Sequence, residues 1–115
     1  MKQAYIIIDM QNDFIDGALG TKEAPLIVPR IEAILQAAKK DESRETDFIF
    51  TQDTHGEDYL DTQEGRKLPV PHCIRDTHGW QICRALLPYT LMAPVLEKPT
   101  FGCTQLVEEA APYDR

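Results

Sequence analysis

An α/β fold with a parallel sheet is predicted by three features of this 115-residue sequence. Apolar, β-branched or aromatic runs at 4–8, 47–53 and 91–98 have strand character. Segments with helical periodicity or helix-start signals follow each of them, giving a coarse order βαβαβα. The chain also has no internal repeat, low-complexity tract or linker, so all three βα units belong to one folding unit. Strands alternating with helices at this spacing read as βαβ units, which require parallel strands and crossovers over the sheet.

The first strand, Ala4 to Ile8, holds three consecutive isoleucines and runs straight into Asp9, Gln11, Asn12 and Asp13. So continuous an apolar run suits a strand covered on both faces, with neighbours on both edges. A loop rich in Gly and Asp follows to Gly20. Leu26, Ile27, Ile31, Ile34, Leu35 and Ala38 then recur at spacings of three and four, forming one apolar helical stripe. Pro29 is placed near the first turn of that helix, and Lys39 and Lys40 suit the negative pole of its dipole.

The second strand, Asp47 to Asp53, also ends in an aspartate. The polar stretch from Thr54 to His78 carries Gly56, Gly65, Pro69 and Pro71, with a short turn expected at 58–61. Loops of that length in small domains tend to be functional. Gly79 to Leu87 is read as a short helix stopped by Pro88, with Trp80, Cys83 and Leu87 on one side. Leu91 to Lys98 is the third strand, with Pro94 favouring an edge position. A turn at 100–104 and a helix from Gln105 capped by Thr104 complete the pattern.

The balance of 12 basic against 19 acidic residues, a net charge of −7, opposes binding to nucleic acid or to an anionic membrane. No stretch approaches the ~20 apolar residues of a membrane span, and the N-terminus has no signal-peptide pattern. Cys73, Cys83 and Cys103 are odd in number and lack CxxC spacing, which fits reduced thiols in a cytoplasmic setting better than a disulfide framework.

Parallel strands deliver their carboxyl ends to one sheet edge, where ligands of open α/β sheets bind. That edge would receive Asp9, Asp53 and Lys98. Asp9 and Lys98 read either as an acid/base pair or as a structural ion pair. Asp53, His55 and His72 form a reasonable three-ligand set for a divalent metal, the alternative being ordinary surface histidines. Phe14 is either a wall for a planar substrate or core. Cys73 follows His72 directly and would point elsewhere in an extended segment, so each cysteine defaults to a buried, inert thiol.

In order and spacing, Ile6–Phe14, Thr51–His55, His72–Cys73 with Thr77–Gly79, and Glu97–Gly102 resemble the isochorismatase-like cysteine hydrolases, and within them the nicotinamidase/pyrazinamidase branch. The resemblance covers essentially the whole chain. It implies a doubly wound (Rossmann-like), mostly parallel sheet of which this chain supplies the first three βα units. It also implies hydrolysis of a small, nicotinamide-like amide to acid and ammonia through an Asp-Lys-Cys triad.

In that scheme Asp9 and Lys98 are catalytic, and Asp53, His55 and His72 bind a divalent ion, with zinc, iron and manganese equally suited. Phe14 packs on the substrate ring. The family's nucleophilic cysteine lies after a fourth strand, and Cys103 is not its equivalent. Residues 1–115 are therefore expected to be the N-terminal portion of a single hydrolase domain, the remainder possibly a separate polypeptide, and the assembly a homo-oligomer. Leu68 to His72 lacks a tryptophan that many nicotinamidases carry there, which leaves another small amide as an alternative substrate. A complete 115-residue chain would instead be a metal- or ligand-binding module without catalysis.

Overall fold

A computed structural model of the chain describes residues 2–41, 45–91 and 93–98. The turn at 100–104, the helix from Gln105 and Cys103 lie outside the described residues. Among the described residues the sheet has three parallel strands, β1 (Lys2–Ile8), β2 (Glu45–Asp53) and β3 (Val95–Lys98), in that spatial order. Its register places Ile8 opposite Thr51 and Asp53 opposite Lys98. The three strand ends thus meet at one edge, as parallel topology requires.

Between β1 and β2 run α1 (Asn12–Ile15) and the long α2 (Ala24–Lys40). Thr21 starts α2 from outside, its hydroxyl accepting the Ala24 N–H at 3.1 Å. Pro25 occupies the first turn, where its missing N–H costs nothing. Pro29 lies inside the helix rather than near its start, so one helical hydrogen bond is forgone there. One face of the sheet and α2 close over a core of Ile7, Leu35, Phe50, Ile82, Cys83 and Leu86.

Two apolar patterns bury less than the sequence suggests. Ile7 is buried, but Ile6 and Ile8 on the other face of β1 are 40% and 59% exposed. Among the described residues β1 pairs only with β2 and lies at one edge of the described sheet, and its isoleucines alternate between core and surface. On α2 only Leu35 and Ala38 are fully buried, whereas Leu26, Ile27 and Ile34 are exposed. The helical stripe is wider than the part that faces the sheet.

The stretch predicted as a helix over 79–87 takes another form. It makes two 3-10 turns, His78–Trp80 and Arg84–Leu86, separated by an extended segment. Ile82 bridges antiparallel to Gln11, the Asn12 N–H donates to the Gln81 carbonyl at 3.0 Å, and the Cys83 N–H donates to the Met10 carbonyl at 2.9 Å. Backbone groups engaged in that pairing are lost to a helix. Pro88 then lies in the first turn of the single-turn helix α4 (Leu87–Thr90) instead of ending one. β3 starts immediately after Pro94, whose carbonyl accepts the Phe50 N–H at 3.0 Å.

The polar stretch after β2 is ordered by a 3-10 turn, Tyr59–Asp61, and by α3 (Gln63–Lys67). The Thr62 hydroxyl caps α3 by accepting the Gly65 N–H at 3.0 Å. Gly65 is required there, because a Cβ would stand 1.9 Å from the Tyr59 carbonyl oxygen.

Candidate active site

At the end of β1 the backbone of Asp9 turns into the left-handed region, φ 53°, which aspartate tolerates better than most residues. Thr51 holds it there. The Asp9 N–H donates to the Thr51 carbonyl at 3.2 Å and hydroxyl at 3.1 Å, and that hydroxyl donates to Asp9 Oδ1 at 2.7 Å. The other carboxylate oxygen, Oδ2, pairs with Lys98 Nζ at 2.8 Å. With side chains 18% and 9% exposed, the pair is largely shielded from water, where its Coulombic attraction is strong and loss of one partner is costly.

On the same edge, Asp53 Oδ2 lies 3.0 Å from His55 Nε2 and 3.4 Å from His72 Nε2. The three ligating atoms fall within 4.8 Å of one another, and all three residues are buried. His72 Nδ1 donates to the Val70 carbonyl, 2.7 Å away, because a carbonyl can only accept; in the neutral imidazole this leaves the Nε2 lone pair facing Asp53. Tyr59 packs edge-on against both imidazoles, with ring centroids 4.7 Å and 5.0 Å away, and its hydroxyl donates to the Leu68 carbonyl at 2.8 Å. Burial first, then the nearby Glu64 and Asp53 carboxylates, raise the Tyr59 pKa.

Glu64 is a site residue that sequence reasoning missed. Its Oε2 lies 3.0 Å from His55 Nε2, the nitrogen that also faces Asp53. One N–H can serve one carboxylate oxygen, and Glu64 Oε2 is buried without a hydrogen-bond partner. Two carboxylate oxygens converging on one imidazole nitrogen, with a second lone pair from His72, fit a divalent cation better than they fit a hydrogen-bond network. The available sign of Glu64 was Thr62, an N-cap for the short helix that turns this carboxylate back onto His55.

Gln11 was missed as well. Fully buried, it accepts the Asp53 N–H at 2.8 Å and donates to the carbonyls of Asp53 at 2.8 Å and Trp80 at 2.7 Å. It thereby clamps the backbone of a candidate ligand to the 3-10 turn at Trp80. Phe14 is half-buried and meets the His72 ring edge-on at 5.5 Å, which places it beside the candidate metal cluster.

Cys73 is not extended as expected but sits at φ 50°, with its side chain completely buried. Burial, then Asp53, Asp13 and Asp9, push its thiol pKa far up, and Lys98 only partly opposes this. The result is a neutral, unreactive thiol, in line with the default reading. Cys83 is buried in the main core, and its thiol is also pushed up, chiefly by burial.

The fold and this edge define an α/β protein in which a buried carboxylate–ammonium pair stands beside an Asp/His cluster suited to a metal. The Isochorismatase domain profile matches residues 3–109, and the chain belongs to the isochorismatase family. No curated protein matches the sequence. Among solved structures, a pyrazinamidase of Pyrococcus horikoshii in complex with zinc is 26% identical with a TM-score of 0.75, over 96% of this chain and 64% of that one. A pyrazinamidase/nicotinamidase from Streptococcus mutans UA159 is 28% identical, TM-score 0.79, over 97% and 66%. An N-carbamoylsarcosine amidase from Thermoplasma acidophilum is 25% identical, TM-score 0.77, over 99% and 64%. The chain thus spans about two thirds of the length of the structures it resembles. These likenesses agree with the family match and give the chain an isochorismatase-like α/β fold. Among the described residues no helix is long and apolar enough to cross a membrane.

Proposed function

We propose that residues 1–115 are the N-terminal portion of a hydrolase domain that cleaves a small, nicotinamide-like amide to its acid and ammonia, with the nucleophilic cysteine on polypeptide beyond Arg115. The observation that supports this most is the arrival of the Asp9–Lys98 pair and the Asp53/His55/His72 cluster at one sheet edge. In this reading Asp9 takes the proton of the attacking thiol and returns it to the departing nitrogen, so that a carbon–sulfur bond forms as the carbon–nitrogen bond breaks. Water then hydrolyses the thioester, regenerating the thiol. Lys98 stabilises the negative charge of thiolate and carboxylate. Phe14 forms an aromatic wall for the ring of the substrate.

Asp53, His55, His72 and Glu64 would hold a divalent cation. When bound, such an ion supplies a Lewis-acid anchor for a ring nitrogen or carbonyl of the substrate. A pyrazinamidase that carries zinc among the similar structures supports the metal, and the donor set alone suits zinc, iron or manganese. The absence of tryptophan before His72 and the likeness to an N-carbamoylsarcosine amidase favour a second reading, a different small amide at the same site.

The test is a protein produced from the gene read past Arg115 and assayed for ammonia release from nicotinamide, with metal content measured alongside. Expected are stoichiometric ammonia and nicotinic acid, with both metal and turnover lost in His72→Ala. Metal binding with no hydrolysis of any small amide would leave only a binding module and refute the proposal.

A further inference from the structure

Asp13 belongs neither to the acid/base pair nor to the metal cluster, yet its carboxylate reaches the loop that carries His72. Its Oδ2 accepts the N–H of Cys73 at 2.8 Å, across 60 positions of sequence. The carbonyl of that same Cys73 accepts the His55 N–H at 2.9 Å, and the Arg75 N–H donates to the His55 carbonyl at 2.9 Å. The residue following one candidate ligand is thus tied on one side to Asp13 and on the other to a second candidate ligand. Cys73 adopts φ 50°, a left-handed conformation that a non-glycine residue holds only when its surroundings enforce it. Asp13 is placed for that task by α1 and by its Oδ1, which accepts the Ala18 N–H at 3.3 Å. Gly79 leaves the room: a Cβ there would come within 2.1 Å of Asp13 Oδ2.

We infer that Asp13 is a positioning residue for the metal site, fixing the turn at Cys73 so that His72 Nε2 faces Asp53 and His55. The inference rests on the metal reading above. It also assigns a purpose to Gly79, whose lack of a side chain lets the carboxylate stand against the 3-10 turn at His78. Partners that orient a ligand without touching the metal commonly set affinity by about 10–100-fold.

The test measures Co²⁺ affinity by competition titration, and the visible Co²⁺ spectrum, in the wild type, Asp13→Ala, Asp13→Asn and Gly79→Ala, with apo-protein melting recorded for each. Asp13→Ala is expected to weaken Co²⁺ binding by about 10–100-fold and to change the spectrum. Asp13→Asn, which keeps an acceptor oxygen, should recover most of the affinity. Gly79→Ala should reproduce the defect from the other side of the carboxylate, and it carries the test if Asp13→Ala does not fold. Wild-type affinity and spectrum in folded Asp13→Ala or Gly79→Ala, whatever their melting temperatures, would overturn the inference alone. A wild-type protein that binds no divalent ion would remove the metal reading and this inference together.

Discussion

Replacing Gln11 by leucine, a side chain of similar volume, strips three hydrogen bonds from the interior while leaving the space filled. The wild-type amide serves the Asp53 N–H and the Asp53 and Trp80 carbonyls, all at 2.7–2.8 Å. Trp80 keeps a second donor, Gln52 Nε2 at 3.0 Å, so its carbonyl stays satisfied. The two Asp53 groups lose the partner that Gln11 supplied. At about 1–3 kcal/mol for each buried group left unsatisfied, the expected cost is about 2–6 kcal/mol. Against the ~5–15 kcal/mol of a typical domain that is a large fraction of the total. Urea unfolding followed by tryptophan fluorescence would read it as a lower midpoint at unchanged slope. Gln52→Leu, which removes one bond to a carbonyl that keeps Gln11, is the control and should cost about 1 kcal/mol. A Gln11→Leu variant no less stable than this control would refute the clamp.

Further outcomes follow from the same contacts. Lys98→Met leaves the Asp9 carboxylate shielded and unpaired, which should lower unfolding free energy by about 3 kcal/mol, the low end for a broken buried pair because Asp9 keeps some exposure. Gly65→Ala pushes a methyl group into the Tyr59 carbonyl, so α3 must shift; a loss of about 1–3 kcal/mol and weaker metal binding are expected from thermal melts and metal titration. Cys73, Cys83 and Tyr59 all have raised pKa values in the folded state, with burial the leading cause. The unfolded chain therefore gives up these protons first as pH rises. Their stabilising contribution is complete below the ordinary thiol and phenol pKa values and declines as pH climbs through and above them, so the urea midpoint should fall between pH ~8 and ~10.5. Both buried thiols should resist alkylation at pH ~8 until urea unfolds the chain.

The fold class and the convergence of Asp9, Asp53 and Lys98 were legible in the sequence because parallel strands leave little freedom in where their ends go. Asp53, His55 and His72 were legible because two of them alternate at the end of one strand. Less visible were the features set by pairing between distant segments. The extended course of 81–83 depends on Met10, Gln11 and Asn12, which no local periodicity in 79–87 reveals. Glu64 enters the site through a helix of five residues, too short for a periodic signal, and Gln11 through backbone groups that carry no side-chain signature. Ile6 and Ile8 are exposed among the described residues: an unbroken apolar run reports what a strand can bury, whereas the neighbours that pack on it decide what it does bury.

The central claim is that two functions share this edge, proton transfer at Asp9 and metal holding at Asp53, His55 and His72. Asp9→Asn separates them, because the side chain keeps its size and an oxygen for Thr51 but loses the ability to take a proton at neutral pH. Ammonia release from a small amide and bound metal per chain should be measured together on the protein that carries the proposed cysteine-bearing segment. The account predicts metal content equal to wild type with turnover reduced by about 10²–10⁴-fold. Turnover that survives Asp9→Asn at wild-type rate, in a variant that still holds its metal, would contradict it.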